Sequence, residues 1–211
     1  MATRAARSRP RTSKKVYDRD YFDRWYRDPR AAVIHGDLLA RRVQLALSAA
    51  EYVLERPVRS VLDVGCGEGA WRRWIHTARP AARYLGVDSS EYAVRRFGKR
   101  RNLRLARFGE LGRLGLRRPF DLIVCSDVLH YVPTLEARRG LQALRRLVGG
   151  IAFIEVFTGE DDTIGDDHGF VPRSERAYRG LFRVAGLVHL GLHCYTTRRI
   201  ARDLMALEKS R

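Results

Sequence analysis

The chain has 211 residues, 45% of them hydrophobic, which suits a single domain with a sizeable core. Its mean hydropathy of −0.35, with no apolar run approaching the ~20 residues of a membrane span, excludes a membrane-spanning class. The formal net charge of +17 raises the prospect of a polyanionic partner, but only four of the 41 basic residues are lysines and the arginines are scattered over nearly every segment, so a built nucleic-acid patch is the weaker reading.

Residues 1–15 are basic and poor in large apolar side chains, and they read as a disordered tail; without an apolar core they are not a secretory signal. Residues 16–57 read as a helical lid or cap. They begin with an aromatic cluster (Tyr17, Tyr21, Phe22, Trp25, Tyr26) and continue over 38–54 with apolar residues at helical spacing until Pro57. From residue 58 to 211 strands and helices alternate. Strands are expected at 60–64, 84–87, 103–108, 120–125, 151–157 and 187–195, and helices at 70–77, 91–97, 135–147, 174–185 and 198–209. Thr134 and Ser174 stand at N-cap positions, and Gly149-Gly150 and Gly186 mark stops. The alternation predicts a doubly wound α/β fold, Rossmann-like, with helices on both faces of a mostly parallel sheet of six strands or with a short seventh. Cys66, Cys125 and Cys194 lie in or beside apolar runs with no metal spacing and are expected as buried free thiols in a cytoplasmic protein.

The segment Val61-Leu62-Asp63-Val64-Gly65-Cys66-Gly67-Glu68-Gly69 is a buried strand running into a glycine-rich turn at a helix start. A second strand ends in Asp88, 23 residues beyond Gly65, close to the spacing at which a carboxylate takes a ribose hydroxyl pair in nucleotide-binding βαβ units. Ligands in open α/β sheets bind outside the carboxyl ends of the strands, which selects the residues that come after each one.

With glycines spaced G-x-G-x-G and an acid closing the next strand, residues 60–195 resemble the class I S-adenosylmethionine-dependent methyltransferases, and Ser126-Asp127-Val128-Leu129-His130 is similar to a segment of their small-molecule members. The resemblance implies S-adenosylmethionine as cofactor. It gives Asp63 the ordering of the turn, Gly65, Cys66 and Gly67 the backbone against the cofactor, and Asp88, beside Ser89, both ribose hydroxyls. Many relatives carry an adenine-binding Asp after the third strand. Here Arg107 stands near that place, leaving Glu110, or the backbone of Phe108 and Gly109, to serve. Ser126 and Asp127 would border the methionine end and Val128 the floor. His130 is the candidate general base, or else a lining residue.

Glu160-Asp161-Asp162 and Asp166-Asp167-His168, with Asp127, have three readings: a divalent-metal site, a solvated lid loop, or an attractor for a cationic amine. The lid loop is preferred and no metal is expected. The implied activity is methyl transfer to an oxygen or nitrogen of a small molecule by in-line displacement. An RNA methyltransferase is the alternative, against which stands the absence of an Asn-Pro-Pro-Tyr, an Asp-Pro-Pro-Tyr or a Pro-Cys motif; a non-catalytic binding module is another. No membrane partner is expected, and the sequence does not fix an oligomeric state.

Overall fold

The structure is a computed structural model that describes residues 15–28, 36–162 and 166–206. The expected tail, residues 1–14, and the end of the expected last helix, residues 207–209, lie outside the described residues.

Seven strands form one sheet: β1 Ser60–Val64, β2 Arg83–Asp88, β3 Leu103–Leu105, β4 Phe120–Ser126, β5 Val148–Glu155, β6 Leu187–Gly191 and β7 Cys194–Thr197. Their order is β3-β2-β1-β4-β5-β7-β6. The first five are parallel, while β7 runs antiparallel to both β5 and β6. The order reverses between β1 and β4, and the strand ends there open the crevice where such sheets bind ligands. β1 is buried along its whole length, as a central parallel strand covered on both faces must be.

The helices are α1 Arg19–Phe22, α2 Gly36–Leu54, α3 Ala70–Ala78, α4 Glu91–Arg101, α5 Thr134–Leu147, α6 Glu175–Ala185 and α7 Arg198–Ala201. α2 and α3 pack on one face of the sheet around Leu47, Ile75 and Phe153; α5 and α6 pack on the other around Ile123, Leu141 and Phe182. Local chemistry sets their ends. Ser90 Oγ accepts the Ala93 N–H at the start of α4, and Ser174 Oγ that of Ala177 at the start of α6. Gly186, at φ 80°, ends α6 in the left-handed conformation. Among the described residues no helix is long and apolar enough to cross a membrane. All three cysteines are free and buried.

The structure corrects three expectations. The single strand at 187–195 is a hairpin, giving the seventh strand. Its turn uses Leu192 and His193 at φ 46° and 64°, a conformation normally signalled by Asn or Gly. The helix ends at Leu147 as expected, but β5 begins at once at Val148 rather than at 151, so Gly149-Gly150 lies within the strand. A Cβ on Gly150 would lie 2.5 Å from the Asp121 carbonyl, so glycine allows the close strand approach. The third strand ends at Leu105, and Phe108–Arg113 form a 3-10 turn capped by the Glu110 carboxylate on the Arg107 N–H. Within the expected lid or cap, α2 buries Leu39, Val43 and Ala46 against the sheet, and residues between 15 and 26 line the cavity at the strand ends.

Candidate functional site

A cavity of about 810 Å³ lies at the carboxyl ends of β1, β2 and β4, within the usual range of ligand pockets. Its floor is the turn after β1. Gly65, Gly67 and Gly69 all have positive φ (74°, 53° and 82°). A Cβ on Gly65 would fall 2.2 Å from a Val128 methyl, and one on Gly67 would fall 3.1 Å from the Phe22 ring. Only glycine lets the backbone approach its neighbours and a ligand this closely.

Two aspartates brace the turn. Asp88 accepts the Gly67 N–H with Oδ2 and the Ser90 N–H with Oδ1, each at 2.7 Å. Burial raises its pKa, while the backbone N–H groups oppose the rise. Asp63 lies under the turn, only 2% exposed, and accepts the Tyr84 hydroxyl at 2.6 Å. Burial lifts its carboxyl to about 7, against Tyr84 and aided by the charge of Asp88.

The segment after β4 closes the crevice on the far side. Asp127, at φ 62°, donates its N–H to the Glu155 carbonyl at 3.2 Å. His130 Nε2 stands 3.1 Å from Asp127 Oδ1, and Nδ1 accepts the Phe157 N–H at 3.4 Å. The imidazole is 1% exposed among Tyr131, Phe157 and Phe170. Arg173, itself buried, fixes this segment from behind by donating to the carbonyls of Leu129 and Val132 and to Thr134 Oγ1.

The aromatic segment forms the roof. Phe22 is buried against the turn and stacks on Tyr92, with ring centres 5.7 Å apart. The Tyr17 carbonyl accepts the Ser90 hydroxyl at 2.6 Å, and Arg27 pairs with both oxygens of Glu68 at 2.6 and 2.7 Å. The roof is thus tied to the end of β2 and to the glycine turn itself.

Of the residues the sequence singled out, Gly65, Gly67, Asp88 and Ser89 line the cavity, as do Phe108, Asp127 and Val128. The others support it from outside. Cys66 buries its thiol beside Gly86, Ser126 donates to Glu155 Oε2 at 2.5 Å, and Glu155 also pairs with Arg42. Glu110 turns to cap the 3-10 helix, and the Gly109 N–H donates to Glu136 Oε1 at 3.3 Å. His130 is not among the residues that line the cavity; it is buried with both ring nitrogens engaged, one by Asp127 and one by the Phe157 N–H. Among the described residues no three His, Cys, Asp or Glu side chains converge to hold a metal ion.

Sequence reasoning missed Glu136, which lines the cavity near Phe108 from the first turn of α5. The signal for it was its position: a helix that comes after a strand's carboxyl end presents its first turn to the same crevice. Gly140 was missed too. It leaves room for Phe108, whose ring would lie 2.1 Å from a Cβ there.

Residues 62–150 match the model of a family described as a methyltransferase domain. No curated protein sequence matches the chain. Among solved structures, an S-adenosylmethionine-dependent methyltransferase from Clostridium acetobutylicum has a TM-score of 0.60 at 14% identity, over 80% of this chain and 86% of that one. DesVI of Streptomyces venezuelae has a TM-score of 0.59 at 18% identity, over 73% and 86%. The plantazolicin methyltransferase BamL, crystallised with SAH and a triazolic desmethylPZN analog, has a TM-score of 0.59 at 16% identity, over 74% and 67%. At these identities the structural likeness speaks for the fold. The family match over residues 62–150 and the shared fold both agree with the resemblance of residues 60–195 to the class I S-adenosylmethionine-dependent methyltransferases.

Proposed function

We propose that the chain transfers a methyl group from S-adenosylmethionine to an oxygen or nitrogen of a small molecule, with residues 58–211 as the methyltransferase domain and the aromatic segment as its roof. One observation carries the reading: a single covered cavity joins the glycine turn, the Asp88 carboxylate and the Asp127 turn. The donor supplies an electrophilic methyl on a sulfonium, and the chain's part is to bind, align and exclude water.

Asp88 is the ribose acid. Each of its oxygens already accepts one N–H and keeps a second lone pair for a hydroxyl. Because one of those N–H groups is that of Gly67, the ribose site and the turn are a single unit. Asp127 supplies negative charge at the methionine end, and His130 keeps its carboxylate in place. Glu136, beside Phe108, takes the adenine amino group in place of the acid that Arg107 displaced. The roof keeps water from the sulfonium, and Phe22 and Tyr26 offer it aromatic faces.

The test is calorimetric titration of the folded protein with S-adenosylmethionine and S-adenosylhomocysteine. Micromolar or tighter binding of either supports the proposal and leads to an acceptor screen of amines and phenols. A folded protein that binds neither defeats it.

A further inference from the structure

The cavity already contains an ammonium group, and the chain supplies it. Lys15 lines the cavity, and its side chain is 9% exposed. Its Nζ sits 3.3 Å from the centre of the Tyr131 ring and 5.3 Å from the centres of Tyr17 and Tyr21. Asp166 Oδ2 faces it across 2.6 Å. Among the described residues the ion pair with Asp166 is the one polar contact of this buried Nζ, and the charges of Asp127 and Asp167 also act on it.

The cage is held by contacts independent of Lys15. Tyr131 donates its hydroxyl to the Asp166 carbonyl at 2.6 Å, and Asp166 Oδ1 accepts the His168 N–H at 3.0 Å. Tyr17 and Tyr21 meet edge to face at 5.0 Å, and the Tyr17 backbone is fixed by Ser90. Aromatic faces with a carboxylate alongside are a cation site, favoured further where water is excluded. The same cavity holds Gly65, Gly67 and Asp127, so the cage opens onto the place where the donor's methionine end is proposed to lie.

We infer, building on the methyltransferase reading above, that this tyrosine–aspartate cage is the acceptor subsite, that it takes a primary or secondary alkylamine, and that Lys15 is the internal stand-in for that amine. The amine enters as an ammonium, is recognised by the rings and Asp166, and releases one proton to solvent. Its nitrogen lone pair then attacks the methyl carbon. The C–N bond forms as the C–S bond breaks, the bonding pair returns to sulfur as S-adenosylhomocysteine, and the methylated ammonium gives a second proton to solvent. Burial outweighs the pull of Asp166 and lowers the Lys15 pKa, so the cage draws a bound amine toward its nucleophilic, neutral form.

The test uses the full chain, as wild type and as Lys15→Ala. S-adenosylhomocysteine is titrated first. A folded wild type that does not bind it defeats the methyltransferase reading, a result separate from the amine titration. n-Butylammonium is then titrated and tracked by protein NMR shifts, with n-butanol as the neutral control. Lys15→Ala is expected to bind n-butylammonium about tenfold or more tighter than wild type, because a tethered competitor at millimolar effective concentration has been removed. n-Butanol is expected to bind neither protein, and Tyr131→Leu in the Lys15→Ala background is expected to erase the gain. Equal affinity of wild type and Lys15→Ala for n-butylammonium, or equal affinity for the ammonium and the alcohol, overturns the inference. So does a Tyr131→Leu protein that loses more affinity for cationic S-adenosylmethionine than for neutral S-adenosylhomocysteine, which would give the cage to the sulfonium.

Discussion

The carboxylate of Asp88 and the N–H of Gly67, 2.7 Å apart, join the end of β2 to the turn after β1. One side chain therefore holds the cradle and is itself the proposed ribose ligand. Asp88→Ala removes the charge-assisted bonds to the ribose and loosens the turn. Bonds of this kind are worth about 1.5–3 kcal/mol each. Donor affinity is expected to fall at least about a hundredfold, beyond calorimetric detection, while circular dichroism stays that of a folded protein. Unchanged affinity in the folded variant would remove Asp88 from the site.

Phe22 couples the roof to the same turn. It is 2% exposed, and its ring edge lies where a Gly67 side chain would stand. Phe22→Ala takes away the main apolar anchor of a short segment that packs on few other groups. The loss is expected to appear as local opening, with residues 19–27 cleaved faster in limited proteolysis and donor affinity reduced, while the global unfolding midpoint moves little. A large fall in the midpoint with no change in cleavage would show instead that the segment is part of the core.

His130 acts through Asp127 in the proposed scheme. His130→Ala deletes the bond to Asp127 Oδ1 and is expected to lower kcat about tenfold or more. His130→Gln, which restores an N–H donor, is expected to recover part of the loss. Neither variant should remove a limb from the pH–kcat profile, because the imidazole does not meet the acceptor. Loss of the low-pH limb in His130→Ala would make His130 the general base after all.

The glycine turn, Asp88 and the Asp127 segment were legible because each comes after a continuous apolar run, and in a parallel sheet a run's carboxyl end has a fixed destination. What stayed hidden depends on contacts between distant segments. The Leu192-His193 turn uses residues that rarely take positive φ, so nothing local announces it. Glu136 enters the site because α5 begins at the crevice, and Lys15 because residues 15–28 fold back over it. The orientation of His130 is decided by the Phe157 N–H, 27 residues away, which no local pattern encodes.

Gly140 on α5 faces Phe108, and a Cβ there would lie 2.1 Å from the ring and 2.6 Å from the Phe108 carbonyl. The backbone cannot yield as a flexible side chain would. Alanine ordinarily favours a helix by about 1 kcal/mol over glycine, yet overpacking costs about 1–3 kcal/mol. Gly140→Ala is expected to be net destabilising in urea unfolding and to weaken donor binding by displacing Phe108 from the cavity wall. A stabilised variant with normal binding would show that Phe108 has room to move.

Asp63 sets a pH dependence of stability. Its folded pKa of about 7 lies above the ordinary 3.8, so the folded chain binds this proton more tightly than the unfolded chain does. The contribution is fully present below the unfolded value and is lost as pH rises through the folded one, at about 1.4 kcal/mol per pH unit. Asn at this position cannot titrate and keeps an oxygen to accept the Tyr84 hydroxyl. Asp63→Asn is therefore expected to gain stability relative to wild type between about pH 4 and 7, with a constant difference above that range. Urea unfolding of both donor-free proteins across the range is the measurement. Parallel stability curves would mean that Asp63 ionises as readily in the folded state as in the unfolded one, and that the Tyr84 hydroxyl and nearby N–H dipoles offset its burial in full.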